Sequence, residues 1–330
     1  MPSTKKRNKH ATLIKRKTKK NKGIKVIELK PKYSDEYMSS KEGEYFEKKD
    51  YDQIIDYDCD CYRLDESGKR HLLLKFRKNV IPLKLTNLGL DNLKKAAMKS
   101  HDNRGASAGV INKKKLPSYA NESQQFEDKN VSKFRIHGYK SKGTGKFVKS
   151  SFGNIAMSNI IGYFDKPDRN IGADKKPCRT TVFTAREVDK WNNVVPLLKS
   201  IDKQFKHLLP KVHKIQYNQA QKTPYVINDT AFSTITINYN WQTALHKDAG
   251  DLKEGFGNLV IIEEGEYDGG CTGFPQYGVA VDVRTGDFLA MDVHEWHANT
   301  KIIPKSKEYT RLSLVSYLRK NMIKCAGMKI

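Results

Sequence analysis

The sequence predicts an α+β protein: a double-stranded β-helix (jelly roll) supported by helices that precede it in the chain. Three observations predict it. From Tyr225 onward, apolar and polar residues alternate with a period near two over several short runs. Turns rich in glycine, asparagine and aspartate at 255–258, 268–270 and 285–287 separate those runs, and short strands at such spacing read as an antiparallel sandwich or barrel. Ahead of them Val188, Trp191, Val195, Leu198, Ile201, Phe205 and Leu208 recur at three- and four-residue steps, the period of amphipathic helices.

The elements follow in order. Residues 1–23 hold the basic runs Lys5-Lys6-Arg7 and Lys15-Arg16-Lys17 with few apolar side chains, so they read as a disordered basic arm and a nuclear-import signal. Ile24, Val26, Ile27 and Leu29 suit a short strand, and Ile54 and Ile55 fall in an acidic stretch that reads as helical. A strand over 72–81 ends at Pro82, and a helix covers 88–98. The Asp58-Cys59-Asp60-Cys61 run lacks a second Cys/His pair at finger spacing, so it reads as structural and not as a zinc site. Small residues around Arg104 (103–109) suit the approach of backbone amides to a phosphate. Residues 133–149 alternate bases with glycines, as a backbone-contacting loop does. Thr184-x-x-Glu187 reads as a capping box, Pro196 is expected to end or kink the helix after it, and the helical period runs to Pro210. Strands then follow around 232–240, 259–262, 279–283, 288–291 and 311–318. The expected organisation is the arm, a mixed and helical support with nucleic-acid contact loops over 24–224, and a jelly-roll core over 225–320, in one domain from 24 to 330.

Composition bounds the function. The chain has 330 residues, 38% apolar and 30% charged, and no run nears the roughly 18 apolar residues of a membrane span. An integral membrane protein is excluded on that reading, and the charged start lacks the apolar stretch of a secretory signal. Five cysteines (Cys59, Cys61, Cys178, Cys271, Cys325) are sparse and odd in number, which argues against a disulfide scaffold and for a reducing compartment. The net charge is +24, and residues 1–30 alone hold twelve Lys/Arg against one acid. A basic body as well as a basic tail points to a polyanion, most simply nucleic acid.

One constellation carries chemistry. His246 and Asp248 follow the strand near 235–240 and, two apart on extended chain, project from one face. His294 and His297 lie about fifty residues on. Two histidines and one carboxylate form the facial triad of non-haem iron(II) oxygenases, which leaves metal positions open. Spacing alone does not choose between His294 and His297. Arg311 and Ser313, two apart on the last apolar strand, can hold a carboxylate through a planar guanidinium and a hydroxyl. A 2-oxo diacid such as 2-oxoglutarate has such a distal carboxylate.

Taken together, several segments resemble the TET and J-binding-protein family of 2-oxoglutarate/iron dioxygenases, and most closely the thymine-hydroxylase domain of J-binding proteins. They are His-Lys-Asp-Ala-Gly-Asp (246–251), Gly-Phe-Gly-Asn-Leu (255–259), Gly-Gly-Cys-Thr-Gly-Phe-Pro (269–275), the stretch from Gly286 to Thr300, and Arg-Leu-Ser-Leu-Val (311–315). Residues 103–109 and 178–181 extend a fainter similarity upstream. The resemblance implies Fe(II), 2-oxoglutarate and O2 as cofactor and co-substrates, with His246, Asp248 and His297 on the metal and Arg311 with Ser313 on 2-oxoglutarate. It also implies a base contact at Asp251, which as a plain sequence position equally fits a carboxylate capping the turn before Gly255. The implied reaction hydroxylates the C5 methyl of thymine in double-stranded DNA with the base flipped out, Tyr217, Phe232 or Trp241 being candidates to stack on it. Oxidation of 5-methylcytosine is the alternative, a protein or RNA hydroxylase is a further one, and a non-catalytic nucleic-acid-binding jelly roll is the rival of another class. J-binding proteins carry a further DNA-binding or helicase-like region, whereas the present sequence reads as the oxygenase domain with a basic arm. A monomer that finds DNA through its own charge, in the nucleus or associated with viral DNA, completes the expectation.

Overall fold

The structure, a computed structural model, describes residues 23–101, 104–112, 114, 133–141, 143–165 and 177–328. The predicted arm up to residue 22, Asn103 of the small-residue loop and Lys142 of the basic loop lie outside the described residues.

The first half of the chain forms β1 (Lys25–Leu29), α1 (Asp35–Ser40), β2 (Gln53–Ile55), β3 (Cys59–Leu64), β4 (Arg70–Arg77), α2 (Leu83–Ala97), β5 (Ser100–His101), β6 (Ile136–Lys140), β7 (Phe147–Phe152) and β8 (Ala156–Phe164). Then come β9 (Arg179–Thr180), α3 (Val182–Arg186), α4 (Val188–Leu208), α5 (Pro210–Ala220), β10 (Thr234–Tyr239), β11 (Gly257–Glu264), β12 (Tyr267–Gly269) and β13 (Thr272–Phe274). The chain ends through β14 (Val279–Val281), β15 (Phe288–Met291), β16 (Ala298–Asn299), β17 (Ile302–Pro304) and β18 (Thr310–Tyr317).

The large sheet runs β1-β3-β4-β15-β11-β18-β10-β8-β5, with β9 paired to β8. A smaller sheet, β16-β13-β14-β2, faces part of it. Period-two alternation builds two cores from the same strands. Val260 and Ile262 of β11, with Leu312 and Leu314 of β18, pack under α2 and α4. Leu259 and Ile261 turn the other way, towards Phe274, Val279 and Val281 of the small sheet. The helical layer sits tight on the large sheet at Gly89 of α2, where a Cβ would lie 2.6 Å from Ile262 and 2.8 Å from Leu197.

The jelly roll backed by helices is as expected, and its details differ from the sequence reading in several places. Ile54 and Ile55 lie in a strand, β2, paired parallel to β14, because two β-branched residues fit a half-buried pleat better than a helix. That pair and β1–β3 are parallel, so the sheets are mixed and not purely antiparallel. Strands from upstream of residue 225 also complete the large sheet. Thr184 is not a cap: it lies inside α3, where its hydroxyl accepts from Gly162 N–H at 2.8 Å, and Glu187 leads into α4 without a side-chain cap bond. Pro196 neither ends nor splits α4. A helix-interior proline costs ~3 kcal/mol, and burial of Trp191, Val194, Leu197, Leu198, Ile201 and Phe205, at roughly 1.5–3 kcal/mol each, offsets it. Helix also continues past Pro210, which takes the first turn of α5, where its missing N–H costs nothing.

Among the described residues no helix is long and apolar enough to cross a membrane. Cys178 and Cys325 form a buried disulfide that the cysteine count did not anticipate, with Cα atoms 6.2 Å apart and a sequence separation of 147. It ties the start of β9 to the segment after β18. A cross-link that closes so long a loop restricts the unfolded chain, and loss of a native disulfide costs about 2–5 kcal/mol in small domains. The Cys178→Ser/Cys325→Ser protein is therefore predicted to melt several degrees below the oxidised wild type and level with the reduced wild type in thermal denaturation.

Candidate functional site

The site forms where the chain leaving β10 meets the turn after β15. His246 and His297 pair as an antiparallel bridge: each donates its backbone N–H to the other's carbonyl at 3.0 Å. Asp248 N–H donates to Val293 O at 2.9 Å, which fixes the third residue against the same turn. The two imidazole centroids lie 4.3 Å apart. His246 Nε2 is 3.7 Å from Asp248 Oδ1, and His297 Nε2 is 3.8 Å from Asp248 Oδ2. One donor atom from each of the three lies within 4.8 Å of the others, the only such group of histidine, cysteine or carboxylate residues found among the described residues.

Both rings have their tautomer set from behind. His246 Nδ1 lies 2.8 Å from Ala244 O, and His297 Nδ1 lies 2.9 Å from Glu295 O. A carbonyl only accepts, so each Nδ1 carries the proton and each Nε2 lone pair faces inward. Burial, then the neighbouring His246, lowers the His297 pKa to about 4, so His297 is neutral and free to donate electrons at neutral pH. His294, the other candidate from spacing, points its Nε2 to Leu252 O at 3.1 Å and stands apart from the group.

The neighbours of both histidines are clamped by α1. Asp35 Oδ1 accepts from Lys247 Nζ at 2.7 Å and from Trp296 Nε1 at 2.8 Å, and the Lys247 ammonium lies 4.7 Å from the Trp296 ring centroid. Fully buried Met38 packs in one cluster with Leu245, Trp296 and Ala298. The residues on either side of each histidine thus rest on one short helix. Glu295 is held by Arg63 Nε at 3.0 Å and by the Tyr277 hydroxyl at 2.7 Å. No sequence pattern joins Asp35 or Arg63 to residues more than two hundred positions away.

Arg311 and Ser313 share the inner face of β18. Ser313 lines a cavity of about 780 Å3 together with His246, Asp248 and His297 and their neighbours Thr243, Lys247 and Asn299. Asn238 Nδ2 donates to Ser313 Oγ at 3.0 Å and leaves the serine hydrogen free, while Ser158 donates to the Asn238 carbonyl oxygen at 2.5 Å. Arg311 is 1% exposed. Its Nη2 donates to Gly270 O at 2.6 Å, and among the described residues its Nε has no hydrogen-bond partner and no carboxylate lies within ion-pair distance. Glu263, opposite it on β11, is engaged by Arg284 Nη1 at 3.1 Å and Thr285 N–H at 2.7 Å. Gly270, at φ +69°, lets the guanidinium in: a Cβ there would lie 2.7 Å from Nε. A buried guanidinium without a counter-ion is costly, and a carboxylate ligand would satisfy it.

Asp251 is buried on the cavity wall and bridges in register to Arg319. Burial first, then the charge of Asp248, pushes its carboxyl well above the ordinary range, against the pull of Arg319. Arg104, Phe164, Trp241, Tyr317 and Arg319 complete the wall. Sequence reasoning missed Tyr317 and Arg319, although both continue the two-residue step from Arg311 through Ser313. Of the proposed stacking residues, only Trp241 lines the cavity. Phe232 is fully buried under the helices, and Tyr217 stacks on His213 of α5.

A jelly roll with two histidines and a carboxylate on its cavity wall, and a buried arginine two residues from the cavity-lining Ser313, has the architecture of the non-haem iron oxygenase class. Residues 159–320 match the family model Tet_JBP, described as the oxygenase domain of the 2OGFeDO superfamily. This stretch of the chain belongs to that family of 2-oxoglutarate/iron oxygenase domains, whose donors the site supplies. The chain is similar to the bifunctional helicase and thymine dioxygenase JBP2 of Leishmania tarentolae, 34% identical over 169 residues, 50% of this chain and 15% of that protein. It is similar to thymine dioxygenase JBP1 of Trypanosoma brucei brucei, 36% identical over 171 residues, 51% of this chain and 20% of that protein. The chain thus matches a fifth or less of the length of these relatives. A solved chain described as NgTET1 in complex with 5mC DNA aligns at TM-score 0.47 and 13% identity, covering 83% of each chain.

The clamp gives a prediction. Asp35→Ala is expected to weaken divalent-metal binding about tenfold, as loss of an outer-shell partner commonly does, in an equilibrium titration with Mn(II), while the melting curve stays within a few degrees of wild type.

Proposed function

We propose that this domain hydroxylates the C5 methyl group of thymine in DNA, giving 5-hydroxymethyluracil, with iron(II) held by His246, Asp248 and His297. The observation that carries the reading is the convergence of those three donors within 4.8 Å on a cavity that Ser313, two residues from the buried Arg311, also lines. Bound iron with 2-oxoglutarate and O2 supplies the oxidation, in which the oxidised 2-oxo acid leaves as succinate and CO2 and one oxygen atom enters the methyl C–H bond. The names of the relatives as thymine dioxygenases support the base.

The chain's own residues do the rest. Arg311 and the free hydroxyl hydrogen of Ser313 hold the distal carboxylate of 2-oxoglutarate and so aim its keto-acid end at the metal residues. The inward-facing Nε2 lone pairs and the Asp248 carboxylate would hold iron(II), and three donors are too few to close its coordination shell. A duplex hides the methyl group in the groove wall, so the nucleotide is flipped out, at a few kcal/mol. Arg104 and Arg319 offer charge to the flanking phosphates, and Trp241 offers a face for the base. Asp251, on the cavity wall, offers a carboxyl oxygen to a base N–H. That pairing suits the edges of both thymine and cytosine, so the base must be read from the product.

The test is to incubate the protein with duplex DNA containing thymine and 5-methylcytosine, iron(II) and 2-oxoglutarate, and to analyse the nucleosides by mass spectrometry. The expected product is 5-hydroxymethyluridine's deoxy form with matching succinate. His297→Ala and Asp248→Ala are expected to lose activity at least about a hundredfold, about 2.7 kcal/mol, and His294→Ala to keep most of it. Product from 5-methylcytosine alone would reassign the base, and no succinate under any condition would leave a binding protein.

A further inference from the structure

A second basic surface lies on the face of the molecule away from the cavity. Lys199, Lys203 and Lys206 stand at i, i+4 and i+7 on α4, and all three are exposed. Residues at these steps share one side of a helix. The opposite side of α4, with Leu198, Ile201 and Phe205, is buried against the large sheet. Just past the break, Lys211 and Lys214 of α5 are exposed, while His213 and Gln216 turn inward. From Lys190 to Asp229 the only acid between is Asp202. Its Oδ1 is committed inward, 3.0 Å from His213 Nε2 and accepting from Ala231 N–H at 2.8 Å. None of the five lysines forms an ion pair among the described residues. In contrast, Lys94 of α2 is paired with Glu264 at 2.6 Å.

This surface cannot share one straight duplex with the cavity. The helices cover the sheet face made by Ile235, Ile237, Leu312 and Leu314. The cavity is lined by the alternate residues Thr236, Asn238, Ser313 and Tyr317, which point from the other face. DNA is stiff over about 150 base pairs, so a duplex docked at the cavity does not fold around a domain of this size without a large bending cost. Lysine ammonium groups act as point charges, and a row of them without arginine forks neutralises phosphates with little reading of sequence.

We infer that the α4–α5 lysine face is a second DNA-binding surface, which takes the phosphate backbone of a separate duplex segment while the cavity engages the first. The domain then bridges two duplex segments. The inference rests on DNA as the partner at the cavity and is indifferent to which base is oxidised there.

The experiment is a bridging assay. One biotinylated duplex is immobilised, the full chain is added, and capture of a second, fluorescent duplex is read against salt. Wild type is expected to capture it. The variants with Lys199, Lys203, Lys206, Lys211 and Lys214 all changed to Glu, or all to Gln, are expected to lose capture at least tenfold. They should keep binding to the immobilised duplex and keep base oxidation on a short duplex. The salt dependence of second-duplex capture should fall by about 0.9 in log–log slope for each phosphate contact removed. Equal capture by wild type and both variants would overturn the inference, as would no capture by wild type while it still binds a single duplex. Displacement of the second segment by single-stranded RNA but not by duplex DNA would also overturn it, because the occupant would be wrong. Failure of the thymine reading shows separately, as absence of the base product with bridging intact.

Discussion

The reciprocal backbone pairing of His246 with His297 is the constraint on which the site depends. Two N–H···O bonds of 3.0 Å set the two side chains next to each other on one edge of the jelly roll. From that pairing follow the 4.3 Å ring separation, the inward Nε2 atoms and the placement of Asp248 between them. Everything else near the site acts on this pair from outside. The carbonyls of Ala244 and Glu295 choose the tautomers, Glu295 is pinned by Arg63 and Tyr277, and α1 grips the flanking residues through Asp35 and Met38. A facial triad leaves part of the metal's surface open, so its geometry must come from such outer contacts and not from a closed ligand cage.

The large sheet divides the protein's work between its two faces. On β18 the even residues Leu312 and Leu314 pack under helices, and the odd residues Arg311, Ser313 and Tyr317 face the interior. A shift of one residue in register would bury two leucines in the cavity and turn the arginine into the helical core. Stability and chemistry therefore enforce the same register. Buried Arg311 is tolerated because Gly270 gives it a carbonyl and room, and its spare hydrogen-bonding capacity is what a 2-oxo diacid would use.

Much of this was readable in the sequence, and for local reasons. Strands near 234–239, 257–264, 288–291 and 310–317 show their period over a few residues, and His246, Asp248, Arg311 and Ser313 sit at two-residue spacings that a strand converts directly into a shared face. The choice of His297 over His294 was not settled by spacing, because it turns on which ring faces Leu252 O and which faces His246. Residues that act across the fold were hidden altogether. Asp35 reaches Trp296 from a six-residue helix, and β2 pairs with β14 across more than two hundred residues. Pro196 misled because propensity is local, while the apolar stripe that keeps α4 continuous pays out only when the helix meets the sheet.

The central claim, one open-sided metal centre made by His246, Asp248 and His297, is tested most directly by anaerobic titration of the metal-free protein with iron(II), read by equilibrium dialysis. The account predicts one ion per chain for wild type, its loss in Asp248→Ala, and tighter 2-oxoglutarate binding when the ion is present, with that gain removed in Arg311→Ala. Unchanged iron stoichiometry and affinity in Asp248→Ala would contradict it.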